Sequence, residues 1–167
     1  MTHHRPAALL LCAALFSLLL GGCTVSQAVA GTADMGQLQK AMLDADSTLP
    51  EMISITGSVD DASQLFTYLS ELPYEKVENF LLSYSATGKA DEVAVVAVKN
   101  PEDVESAAES LRTHMANRIK LFQQYTPEEA IRAEKGIVFT KDQYAVLIIC
   151  DDSTAVKTAF ETFLSQE

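Results

Sequence analysis

The chain has little from which to build a covalent or nucleophilic site. Of its three cysteines, Cys12 lies inside an apolar N-terminal run and Cys23 closes that run. Cys150 is left as the one free thiol of the folded part, so no intramolecular disulfide is available and stability must come from a core. Cys150 ends an apolar stretch with no base beside it and reads as a buried, inert thiol. Of three histidines, His3 and His4 belong to the same N-terminal segment. A Ser/His/Asp or Cys/His centre would therefore have to use His114. His114 falls toward one flank of a long helical stretch and reads as a surface histidine without a role. No Gly-x-Ser-x-Gly motif is present. A carboxylate-pair hydrolase is the least favoured reading, since 23 acids offer no way to locate a facing pair.

Basic residues are also scarce: 12 Lys+Arg stand against 23 Asp+Glu, a net charge of −11. Losing Arg5 with a leader takes this to −12. So acidic a surface excludes nucleic acid as a partner and argues against direct binding to anionic lipid or teichoic acid. The segment Asp44-Ala45-Asp46-Ser47-Thr48 begins like a calcium loop. It fails at the sixth position, Leu49 in place of glycine, and at the twelfth, Ile55 in place of glutamate. No metal ligand and no cofactor is assigned.

No apolar run reaches the roughly 20 residues of a membrane span. Ala7 to Leu20 is a shorter run preceded by Arg5, the pattern of a secretory signal peptide. It ends in Leu20-Gly21-Gly22-Cys23, which resembles a bacterial lipobox: an aliphatic residue, two small residues, then a cysteine that accepts a diacylglyceryl group. Residues 1–22 are expected to be the lipoprotein signal peptide. Residues 23–37 form the lipidated Cys23 and a flexible tether of small and polar residues, and residues 38–167 a single domain. Lipid at Cys23 would hold the chain on the extracytoplasmic face of the cell membrane.

Within the domain, Val93 to Val98 reads VAVVAV, an unbroken apolar run. β-Branching and the following Asn100-Pro101 favour a strand covered on both faces or central in its sheet. Asn100 suits an N-cap and Pro101 the first helical position, and the spacing predicts a helix from Pro101 to about Gln124. Its apolar stripe is Val104, Ala108, Leu111, Met115, Ile119 and Phe122. Arg118 sits inside that stripe. Two readings stay open: a rim arginine that buries its stem and snorkels, or a buried ion pair or ligand anchor.

Around this unit the pattern predicts helices at Gln37 to Ser47 and Val59 to Leu72, and a short strand at Met52 to Thr56. A strand at Glu78 to Ala86 forms a hairpin with VAVVAV. A short helix then runs to Lys135, strands follow at Ile137 to Thr140 and Tyr144 to Cys150, and a helix from Thr154 closes the chain. Strand–strand–helix occurs twice, and Val95…Val104…Ala107…Leu111 matches Leu147…Val156…Ala159…Phe163 at one offset, so a duplication is one reading. The expected fold is α+β: a four-stranded, largely antiparallel sheet in a ββα-ββα pattern with helices packed on it, two-layer.

The residues Leu49-Pro50-Glu51-Met52, Leu65-Phe66-Thr67-Tyr68-Leu69, Asp91-Glu92-Val93-Ala94-Val95 with Lys99, Arg118 with Phe122, Tyr125 and Pro127, Gly136-Ile137-Val138, and Gln143-Tyr144 through Ile149 have a familiar order and spacing. By them the domain resembles the domain of unknown function 4358 family, small lipoproteins of Gram-positive bacteria. Relatives often carry Gly or Asn where this chain has Asp142-Gln143. The resemblance brings no activity and no cofactor. It implies at most an accessory subunit of a surface-polysaccharide acylation system. The favoured expectation is a non-catalytic binding domain of the cell envelope, with an envelope protein or a glycan as partner beside the membrane. Cys23 is the expected lipidation site. Arg118 and Tyr125 are the candidate ligand or buried ion-pair residues, and no catalytic residue is assigned.

Overall fold

A computed structural model describes residues 32–166; the expected leader, Cys23 and most of the tether lie outside them. Among the described residues no helix is long and apolar enough to cross a membrane. At the centre is the VAVVAV strand, β3 (Glu92–Val98), in which every residue is buried. β2 (Val77–Ser85) pairs with it on one side and β5 (Tyr144–Ile149) on the other, both antiparallel. β1 (Met52–Thr56) lies outside β2 and β4 (Ile137–Lys141) outside β5, giving the order β1-β2-β3-β5-β4. The α+β class stands, but the sheet has five strands rather than four. The extra one is β1, whose exposed Ile53 and Ser54 blur its alternation.

Both faces of the sheet carry helices, which is why β3 can be apolar at every interior position. On one face Ala94, Val96, Val98, Ala145, Leu147 and Ile149 meet α2 (Ala62–Phe66), α3 (Val104–Tyr125) and α4 (Pro127–Glu134). On the other, Val93, Val95, Ala97, Val146 and Ile148 meet α1 (Met35–Asp44) and α5 (Ser153–Leu164). α3 buries Ala107, Ala108, Leu111 and Phe122, with Val104, Met115 and Ile119 partly buried beside them. This is the stripe its spacing predicts. At 1.5 Å per residue the helix is about 33 Å long and crosses the sheet. Pro101–Asp103 is a 3₁₀ turn leading into it, with Asp103 N–H donating to Asn100 C=O.

The two strand–strand–helix units are not a structural repeat. Between β3 and β5, antiparallel neighbours, a two-fold axis normal to the sheet would place both following helices on one face. α3 and α5 lie on opposite faces, so no rotation superposes the units.

Other boundaries shift locally. α2 is a short helix within the longer predicted stretch. α1 starts at Met35, because the Asp34 carboxylate accepts from Gly36 and Gln37 N–H and caps it. The last residues of the expected tether therefore already belong to the domain. Ala33 N–H donates to the Tyr144 hydroxyl at 2.9 Å. The β4–β5 turn holds Asp142 at φ 52°, a left-handed conformation that glycine or asparagine accepts more readily. The segment that begins like a calcium loop does structural work through Asp46. Its Oδ1 accepts from Thr48 N–H at 2.9 Å and from the Thr48 hydroxyl at 2.6 Å, and its Oδ2 accepts Asp152 N–H at 2.9 Å. This joins the end of α1 to the start of α5.

Candidate functional site

The site grows from an anomaly in β3. Its first residue is Glu92, 1% exposed, the only ionisable side chain in an otherwise apolar strand. The even-numbered residues of β3 face α3, so the Glu92 carboxylate points under that helix. His114 and Arg118 are one helical turn apart on α3 and reach the carboxylate together. His114 Nε2 is 2.7 Å from Glu92 Oε1. Arg118 Nε is 3.0 Å from Oε2, an ion-pair approach that is not aligned as a hydrogen bond. Arg118 Nη2 also donates to Ala90 C=O at 3.3 Å, and its guanidinium lies 5.1 Å from the centre of the Phe122 ring.

Burial explains why the cluster takes this form. A carboxylate with 2% side-chain exposure loses its water and is tolerable only if paired. His114 and Arg118 stay 17% and 22% exposed, each with one end on Glu92 and the other toward solvent. His114, expected to be an idle surface residue, is thus a partner of the buried acid. Arg118 is ion-paired with a carboxylate from another element. Tyr125 is 74% exposed and takes no part in the cluster, although helical spacing places it on the same stripe as His114 and Arg118.

The cluster floors a groove of about 310 Å³. Its walls are Ile55 of β1, Leu82 and Tyr84 of β2, and Leu65 and Tyr68 from the α2 segment. Tyr68 is 68% exposed at the rim. Apolar and aromatic walls with a few converging polar groups are the usual make-up of a ligand site. A shallower hollow of about 480 Å³ between α1 and α5 is lined by Ala and Thr residues, Phe163 and Gln166, with no ionisable side chain.

A second acid–arginine pair lies alongside. Asp91, 2% exposed, has its Oδ1 3.4 Å from Arg132 Nη1 of α4. The same nitrogen is 2.6 Å from Asp151 Oδ1, and Arg132 Nε is 3.5 Å from Glu129 Oε2. Burial pushes the Asp91 carboxyl up, against the pull of Arg132. Glu129 also accepts Ala90 N–H at 2.7 Å. Consecutive acids at the entry of β3 are therefore each tied to an arginine of a different helix. The sequence signal was present, an Asp-Glu pair abutting six apolar residues, but it did not say which bases would answer it.

Cys150 is buried, and loss of solvent pushes its thiol up to about 12, helped by the neighbouring Asp46 carboxylate. Among the described residues no group of three His, Cys, Asp or Glu side chains is arranged to hold a metal.

The sequence model of a domain of unknown function, DUF4358, matches residues 52–150. The chain belongs to the DUF4358 family. The matched DUF4358 region runs from β1 to the end of β5 and so contains the whole sheet, α2 to α4, and every residue of the groove. The helices of the opposite face, α1 and α5, lie outside it. No curated protein and no solved structure matches the chain.

Proposed function

We propose that this protein is a lipid-anchored binding domain of the cell envelope, held at Cys23 and using the groove between β1, β2 and α3 to engage a partner. The observation that carries the reading is the groove itself: apolar and tyrosine walls over a buried Glu92–His114–Arg118 floor. Burying the Glu92 carboxylate under an open groove gains little for stability alone, and fits a site that must present fixed polar groups. The leader pattern supplies the location, and the acidic surface favours an envelope protein or glycan over anionic polymers.

One observation favours catalysis as a second reading. The Glu92–His114 contact is the arrangement in which a carboxylate orients an imidazole for proton transfer. An enzyme with a histidine base would use this pair; a binding domain would use only its polar contacts.

Cross-linking in intact cells, followed by mass spectrometry, tests the proposal with Cys23→Ser and Tyr68→Ala variants beside the native chain. A reproducible envelope partner that is lost in both variants is the expected result. If that partner belongs to a surface-polysaccharide acylation system, the protein is an accessory subunit of it. A partner retained in full by Tyr68→Ala removes the groove from the interface. Unchanged lipid labelling in Cys23→Ser removes the anchor. Turnover of a polysaccharide that His114→Ala abolishes would favour the enzyme.

A further inference from the structure

The outer edge of β1 borders the groove. Gly57 N–H donates to Phe80 C=O and Ala86 N–H to Glu51 C=O. By the antiparallel register, Ile53 and Ile55 also direct their backbone groups toward β2, and Met52, Ser54 and Thr56 direct theirs away from the sheet. The N–H groups of those three residues have no partner among the described residues. Edge strands are usually defended by Lys, Pro or a bulge. β1, Met-Ile-Ser-Ile-Thr, has none of these. The opposite edge, β4, ends in Lys141, and its Thr140 hydroxyl is bonded to Glu105 of α3.

The side chains of β1 that face the groove are Ile55, which lines it, and Ile53, which is 44% exposed beside Tyr84. An extended segment added to this edge would place every second side chain on the groove face, beside these two isoleucines. Charge decides what kind of segment. Glu51 is exposed immediately before β1, and Asp60 and Asp61 are exposed just after it. Antiparallel pairing of two copies through β1 would bring Glu51 of each toward the Asp60-Asp61 end of the other, a like-charge meeting that disfavours self-association.

We infer that β1 is a docking edge for an extended segment of another protein. The segment joins the sheet as a further strand, with apolar side chains at two alternate positions beside Ile53 and Ile55 and Lys or Arg beyond each end. This rests on the reading of the groove as a binding site and assigns what lies along its β1 border: a basic-flanked, apolar peptide strand.

The probe is a displayed library of linear peptides of about nine residues, long enough for one added strand, selected on the full chain in detergent. Enriched peptides are synthesised and measured against native, Ser54→Ala and Ser54→Pro chains. Proline at position 54 removes an outward N–H and leaves the β1–β2 ladder intact. Alanine controls for the lost hydroxyl contacts to Gln39 and Ser83. The expected sequences alternate apolar residues and end in Lys or Arg. They bind Ser54→Ala like the native chain, bind Ser54→Pro roughly tenfold more weakly, about the loss of one hydrogen bond, and weaken as salt is raised.

N-methylation of alternate peptide amides gives the same reading without touching the protein: one set abolishes binding and the other does not. Enriched peptides without alternation, indifference to both the proline and the methyl groups, or a native dimer joined through β1 would overturn the inference. Loss of binding in Tyr68→Ala with Ser54→Pro unaffected would leave the groove standing and remove the strand. Peptides indifferent to both variants would remove both.

Discussion

Asp46→Asn is the perturbation that tests the packing logic most directly, because the carboxylate joins two elements far apart in sequence. Burial pushes its pKa up, but the Thr48 hydroxyl, Asp152 N–H and Thr48 N–H hold the charged form, and the balance falls from 3.8 to about 2. A depressed folded pKa gives stability that is fully present above the unfolded value and is lost as pH falls toward the folded one. A shift of this size corresponds to about 2 kcal/mol at pH 7. The same linkage leaves under about 1 kcal/mol at pH 2.5. Asparagine keeps the shape and one acceptor but not the charge. Urea denaturation of both chains at pH 7, 5 and 2.5 should therefore show a difference of about 2 kcal/mol at the two higher values that shrinks sharply at the lowest. Taking the difference at each pH cancels the titration of the other acids. A penalty that is the same at pH 7 and pH 2.5 would refute the argument, since it would owe nothing to the carboxylate charge.

Three further outcomes are expected. Leu111→Ala, at a site with no exposure, should cost about 2–5 kcal/mol in denaturation experiments; an unchanged midpoint would mean that α3 packs by another face. Arg118→Ala should cost about 2 kcal/mol by stranding the Glu92 carboxylate. That is less than for a fully buried pair because Arg118 still meets water, and Arg118→Lys should recover part of the loss in the same assay. The Cys150 thiol, pushed up to about 12 by burial, should resist iodoacetamide at pH 8 in the folded chain and react promptly in urea, as followed by mass spectrometry.

Much of the fold was legible because its strongest signals are local. The unbroken run Val93 to Val98 implied a strand covered on both faces or central in its sheet, and β3 is both; the three- and four-residue spacing from Val104 to Phe122 located the buried side of α3. β1 was weighed too lightly because it is short and half exposed, and an edge strand declares itself through its neighbour β2 rather than through its own pattern. The apparent repeat failed for a related reason: spacing along a strand–helix pair does not encode which face the chain crosses to. The site was legible only in fragments. Arg118 stood out as a charge in an apolar stripe, but its answer, Glu92, was one acid among 23. His114 looked idle because nothing local marks a contact made across 22 residues. Tyr125 shares the stripe of Arg118 yet, as the last residue of α3, projects into solvent.

The Ala33–Tyr144 contact bears on how the groove would be displayed. Tyr144 belongs to the α1/α5 face, and the groove opens on the face of α2 and α3. A chain held by lipid at Cys23, as proposed, would therefore enter the domain from behind its binding surface. Ala33 is ten residue steps from Cys23, so even a fully stretched leash spans at most about 35 Å. A tether attached there would leave the groove, on the opposite face of the sheet, unobstructed by its own anchor.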